Sequence, residues 1–277
     1  MTTQTLPYVE GELNYLGATN ERPRYYAYDR ADTDPPSHMP LEPHKMPIRD
    51  LRPVADQLSL DVQGFALAEQ RSAVRDFWDD EEVRRVYYPE AERVIAEATG
   101  AARVFIFDHL QRRRVPGARD RSRSGPRQPA TRVHVDHTDR SGPQRVRDLM
   151  GEEAEELLRG RVQVINLWRP ILSEPLRDAP LAVCDSRTLG ASDLVPSDLV
   201  YRDRVGETYS VKYNPAHQWY YAPEMRRDEA LLLKIADTRT DIAARFMPHT
   251  SFTDPTTPSD AAPRESIEVR TLVFHRA

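Results

Sequence analysis

The stretch RVHVDHT, residues 132–138, carries the pattern on which the reading of this chain turns. In an extended strand, residues two apart point to the same face, so His134 and Asp136 present an imidazole and a carboxylate side by side. His137 falls on the opposite face. A second histidine from a distant strand would complete a set of two histidines and one carboxylate. Such a set holds Fe(II) on one face and leaves positions open for a co-substrate and dioxygen. By itself His-x-Asp is also what a surface strand with two polar residues would show.

Further along, Leu231–Ile235 reads as a strand, Pro248-His249-Thr250 follows it, and Arg264-Glu265-Ser266 opens a last strand over 266–274. His249 lies 115 residues after His134, ample for the strands between, and Arg264 lies 15 residues after His249. In an extended chain Arg264, Ser266, Glu268 and Arg270 share one face, and an inward arginine needs an anionic partner to be buried without heavy cost. A dicarboxylate co-substrate would supply one, its far end meeting a guanidinium fork and a hydroxyl. The alternative is that these arginines pair with Glu265, Glu268 or nearby carboxylates at the surface.

Outward from this frame, short β-rich segments recur at 103–107, 131–136, 161–169, 181–184, 208–213 and 217–221, separated by Pro, Gly, Asp and Ser clusters. Helices are expected over 69–84 and 88–99, the second opening at Pro89 and ending before Gly100, with short ones near 147–159 and 239–245. Residues 1–60 read as an irregular arm, because Pro35, Pro36, Pro40, Pro43 and Pro47 forbid a long helix. With 61–102 helical and 103–277 as the core, the expectation is one α+β domain over 1–277. It is mainly β, a double-stranded β-helix (jelly roll, cupin-like) core with N-terminal helices packed on it.

Composition narrows the chemistry. The 277 residues carry 39 Lys+Arg against 44 Asp+Glu, a net charge of −5, which argues against a dedicated nucleic-acid binder. Mean hydropathy is −0.68, with no apolar run of membrane-spanning length and no signal peptide at the start, so a cytoplasmic protein is expected. The one cysteine, Cys184, excludes a thiolate cluster and leaves nitrogen and oxygen as metal donors. Lysine occurs only at Lys45, Lys212 and Lys234, so 36 of the 39 basic residues are arginine. Codon usage accounts for most of that bias, and oxyanion contacts account for some of it.

His-x-Asp, a late histidine and Arg-x-Ser, in that order on strand-like segments, resemble the Fe(II)/2-oxoglutarate-dependent oxygenases. More narrowly, the chain is similar to the group containing gibberellin desaturase-like and CmcJ-like hydroxylase/desaturases. The similarity runs from about Tyr15 to Phe274, through FDHLQRR (107–113), RVHVDHT (132–138), INLWRPI (165–171), PLAVCDSRTL (180–189), HQWYYAPEM (217–225), PHTSF (248–252) and PRESIEVR (263–270). The resemblance implies Fe(II), 2-oxoglutarate and dioxygen, with His134, Asp136 and His249 as iron ligands. It also implies Arg264 and Ser266 as the clamp on the far carboxylate of 2-oxoglutarate. Arg270, on the same face, is a second carboxylate contact or a structural ion-pair partner.

The implied activity is hydroxylation or desaturation of an unactivated C–H bond of a small molecule, in natural-product or amino-acid-derivative metabolism. A cupin-like metal enzyme that ignores 2-oxoglutarate, and a non-catalytic jelly-roll binding module, are the alternatives. His217, in an aromatic context, competes with His249 as third ligand, but only His249 follows the Leu-rich strand and precedes Arg-x-Ser. Asn166, Trp168, Lys212, His217, Tyr220 and Arg113 are candidates for substrate contact. The arginine-rich loop at 112–127 reads as a solvated segment or as a lid that attracts an anionic substrate. No membrane or nucleic-acid partner is expected, and a homodimer is compatible with the sequence.

Overall fold

The computed structural model describes residues 6–28, 31, 34–118 and 127–276. In chain order it comprises β1 (Tyr8–Leu16), β2 (Arg24–Tyr26), β3 (Leu41–Asp50), β4 (Phe65–Glu69), α1 (Asp80–Glu82), a π turn (Val83–Tyr87), α2 (Tyr88–Thr99) and β5 (Arg103–Arg113). Then come β6 (His134–Val135), α3 (Ser141–Met150), α4 (Ala154–Leu157), β7 (Val162–Pro170), β8 (Leu181–Cys184) and β9 (Leu194–Val200). The last elements are β10 (Val205–Val211), β11 (Trp219–Tyr221), β12 (Glu229–Asp237), β13 (His249–Ser251) and β14 (Glu265–Phe274).

The strands form two sheets, a nine-stranded one in the order β1-β3-β11-β8-β13-β6-β10-β9-β2 and a five-stranded one in the order β4-β12-β7-β14-β5. Leu231, Leu233 and Ile235 of β12 pack with Phe65, Trp168, Leu181 and Val183 between the sheets. The intervening Ala230 and Leu232 turn outward, where Ile267, Val269 and Val273 of β14 meet Tyr87, Ala91 and Ile95 of the helical layer. β7 is buried at every position, Gln163, Asn166 and Arg169 included, as a strand covered on both faces must be. This is the expected jelly roll with helices on one sheet.

Three expectations need correction. Residues 1–60 are not an irregular arm: β1 and β3 pair antiparallel from Tyr8↔Arg49 to Leu16↔Leu41 and join the large sheet. Prolines are tolerated in β3 because Pro43 and Pro47 are an even number of residues apart. Both direct their missing N–H away from β1, on the side where pairing with β11 begins only at Ile48. The helix expected at 69–84 starts only at Asp80. Glu82 accepts the N–H groups of Arg75 and Asp76, and Asp76 accepts that of Trp78, side-chain bonds that hold the backbone out of a helix. The segment 239–245 makes turns in place of a helix, with Asp237 taking the Arg239 N–H.

Candidate active site

Strand β6 is two residues long and lies between β13 and β10 in the large sheet. Its first residue, His134, faces His249 in the β13 register, with ring centroids 4.5 Å apart. Asp136 follows on the His134 side, its Oδ1 3.4 Å from His134 Nε2. One ligand atom from each of His134, Asp136 and His249 lies within 4.8 Å of the others.

Each imidazole is held through Nδ1. That of His134 meets the Arg132 carbonyl at 2.8 Å and that of His249 the Met247 carbonyl at 3.4 Å. A carbonyl can only accept, so both Nδ1 atoms carry the proton and both Nε2 lone pairs face inward. Burial, with help from Arg132 and His249, pushes the His134 pKa down to about 4, so the ring is neutral and able to ligate. Burial works against a charge on Asp136, but its surroundings, with Arg270 among them, outweigh it and hold the carboxyl well below the usual range. Asn166 donates to Asp136 Oδ2 at 2.9 Å and to Glu268 Oε1 at 3.2 Å, fixing the carboxylate that faces the histidines.

Two cavities meet at this cluster. A narrow inner one runs past Trp168, Leu181, Thr250 and Ser251 to Arg264. The Arg264 guanidinium is buried, lies 4.9 Å from the Trp168 ring centroid, and donates to Ser266 Oγ at 3.2 Å and to the Ala179 carbonyl at 2.8 Å. Among the described residues no carboxylate forms an ion pair with it. Burial, with Arg112 nearby, pushes its pKa down to about 9, against the opposing pull of Glu268 and Asp178. The outer cavity, about 390 Å³, opens over His134 and Asp136 from the other side.

The remaining sequence candidates divide between these cavities and other places. Trp168 lines the inner cavity, and Asn166 reaches the cluster through Asp136. Arg270 lines the outer cavity while making a two-pronged ion pair with Asp108. Arg113 points away, pairing with Glu265 and lying over the Trp78 ring. Its neighbour Arg112, opposite Ser266 in the ladder, turns inward and lines both cavities. Sequence reasoning missed it as a cavity residue, because its place follows from the pairing of β5 with β14 and no local pattern specifies that.

His217 is not at the cluster: its ring nitrogens engage Tyr15 and Asp193, which occupies both of its hydrogen-bonding sites. Tyr220 packs on Phe65 with its hydroxyl on Gln218, and Lys212 is exposed; neither is among the residues lining the two cavities. Arg119, Arg121 and Arg123 of the expected lid lie outside the described residues.

A family model described as "Oxidoreductase/YMDC permease-like domain" matches residues 13–274. The hydroxylase/desaturase efuI of Hormonema carpetanum is 37% identical over 247 residues, 82% of each chain. The Fe(II)/2-oxoglutarate-dependent dioxygenase nvfI of Aspergillus novofumigatus is 34% identical over 240 residues, 84% of each. The chain belongs to this Fe(II)/2-oxoglutarate-dependent hydroxylase/desaturase family. A solved structure of the iron and alpha-ketoglutarate-dependent endoperoxidase NvfI matches it with a TM-score of 0.87 at 29% identity, covering 98% of this chain and 99% of that one.

The protein is therefore a non-haem oxygenase that uses Fe(II), 2-oxoglutarate and dioxygen to hydroxylate or desaturate a small molecule. The donor set fits that metal: two imidazole nitrogens and one carboxylate oxygen, with Cys184 buried among other residues. Among the described residues no helix is long and apolar enough to cross a membrane.

Proposed function

We propose that His134, Asp136 and His249 hold the Fe(II) of this oxygenase, and that Arg264 and Ser266 bind the far carboxylate of 2-oxoglutarate in the inner cavity. The observation that carries the reading is the buried Arg264 guanidinium, without a carboxylate partner, in the same cavity as the triad. Bound iron, with 2-oxoglutarate and dioxygen, supplies the oxidising power for C–H cleavage. The chain's own residues supply placement. Asn166 aims the Asp136 carboxylate, the two backbone carbonyls aim the imidazoles, and the outer cavity orients the substrate and limits water at the reacting carbon.

Natural-product metabolism is the setting this reading favours. A relative named aspirochlorine biosynthesis protein N, from Aspergillus oryzae, is 44% identical over 134 residues, 47% of this chain. A single-domain cytoplasmic enzyme, free of nucleic-acid and membrane partners, is the matching cellular picture.

The test is 2-oxoglutarate-dependent succinate formation by the purified chain with Fe(II) and ascorbate. Wild type should form succinate, and Arg264→Gln should need far more 2-oxoglutarate to do so. Succinate formation by Arg264→Gln with an unchanged 2-oxoglutarate requirement would show the clamp to be misassigned.

A further inference from the structure

The outer cavity has a charge imbalance that neither the iron nor 2-oxoglutarate accounts for. Its lining includes Arg112, Arg127, Arg145 and Arg270, whereas Asp136 is the one carboxylate among the described lining residues. Arg270 is matched by Asp108 outside the cavity. The others are placed differently. Arg112 Nη1 donates to the Gln128 carbonyl and both Arg127 terminal nitrogens to the Ala27 carbonyl, contacts that satisfy donors without neutralising charge. Arg145 lies over the Phe107 ring at 5.5 Å, with its Nε buried and lacking a hydrogen-bond partner.

Several arginines elsewhere meet carboxylates, as Arg22 does Asp198, Arg52 does Glu229 and Arg161 does Asp237. The described lining of the outer cavity instead gathers an excess of positive charge at one concave site. Guanidinium groups gathered around a concave site, where the one described carboxylate is Asp136 beside His134, favour an oxyanion. Met39, Leu41, Leu110, Leu199 and Tyr201 form an apolar portion of the wall that suits a hydrocarbon skeleton.

We infer that the substrate of this oxygenase is a mainly apolar small molecule bearing an oxyanion, either a carboxylate or a phosphate ester. Arg145 and Arg127 bind that group while the rest of the molecule lies over His134 and Asp136. This rests on the reading of the triad as the iron site. The oxyanion is distinct from 2-oxoglutarate, because Arg145 and Arg127 line only the outer cavity whereas Arg264 lines the inner one.

Fluorescence titration of the Fe(II)- and 2-oxoglutarate-loaded protein under argon provides the test, with 2-naphthoate, 2-naphthyl phosphate and methyl 2-naphthoate as probes. At least one anion should bind tenfold or more tightly than the neutral ester, and whichever anion is preferred identifies the group. Arg145→Gln and Arg127→Gln should each weaken that anion about tenfold or more while leaving the ester within twofold. Equal binding of ester and anions, or displacement of 2-oxoglutarate by the anions, overturns the inference. Should the variants fail to fold, the three-probe comparison on the unmodified protein decides. Succinate formation by wild type is measured alongside: its absence overturns the iron and 2-oxoglutarate reading, whereas its presence without anion preference overturns this inference alone.

Discussion

His249 stands directly across the ladder from His134, although 115 residues separate them in the chain. Their rings, 4.5 Å apart, are each anchored at Nδ1 by a backbone carbonyl two residues upstream, Arg132 for one and Met247 for the other. The site is therefore set by strand register, and its geometry is as rigid as the β13–β6–β10 pairing that carries it.

Removing either imbalances the site in a way that a distant histidine does not. His249→Ala is expected to abolish binding of Co(II), read by its visible absorption, together with turnover. His217→Ala breaks buried bonds to Tyr15 and Asp193, so it should lower stability by about 1–3 kcal/mol in denaturant melts and leave Co(II) binding intact. The opposite pattern would make His217 the ligand.

Asn166→Ala deletes the amide that bridges Asp136 and Glu268. Losing a partner that aims a ligand typically costs about 10- to 100-fold in metal affinity. The expected result is weaker Mn(II) binding by that factor in calorimetric titration, with the fold retained by circular dichroism. Unchanged affinity would mean that the β6 backbone alone positions Asp136.

Arg264→Lys keeps a charge but loses the planar fork, so it separates charge from shape. A charge-assisted hydrogen bond is worth about 1.5–3 kcal/mol, which corresponds to roughly 10- to 150-fold in the KM for 2-oxoglutarate. Arg264→Gln should show that full loss and Arg264→Lys a partial one. If both match wild type in steady-state assays, the far carboxylate is held elsewhere.

What the sequence made legible was whatever depends on period two. The sharing of a face by Ser266, Glu268 and Arg270 needs only an extended backbone, which β14 provides, and Asp136 stays beside His134 although it lies one residue past the end of β6. Partnerships across the sheet were less accessible. That Arg113 faces Trp78 and Arg112 the site depends on the pairing of β5 with β14, which no local pattern specifies. The prolines of the first 60 residues concealed strands because proline excludes helix everywhere but excludes a strand only where its N–H would be needed. At 70–79 the backbone N–H groups of Arg75, Asp76 and Trp78 are taken by the side chains of Glu82 and Asp76, acidic residues that look suitable for a helix.

Acid should unfold the protein in part through Glu207, which sits on β10 away from the triad. Its carboxylate accepts from Thr138 at 2.6 Å, from Arg140 at 2.8 Å and from Arg22 at 2.6 Å. Burial opposes its charge, but Arg140, Thr138 and Arg22 outweigh that and pull its pKa from the ordinary 4.5 down to about 2. Because the folded value is the lower one, the stabilisation is present above about 4.5 and is lost as pH falls from there toward about 2. Its size is on the order of 2 kcal/mol, given that Arg140 and Arg22 are themselves largely exposed. Glu207→Gln should therefore be less stable than wild type at pH 7 by about that amount in urea melts. The gap should narrow as pH falls from 4.5 to 3, because the unfolded chain takes up a proton there that the folded carboxylate does not. A gap that stays constant down to pH 3 would mean that Glu207 acts through packing and not through its charge.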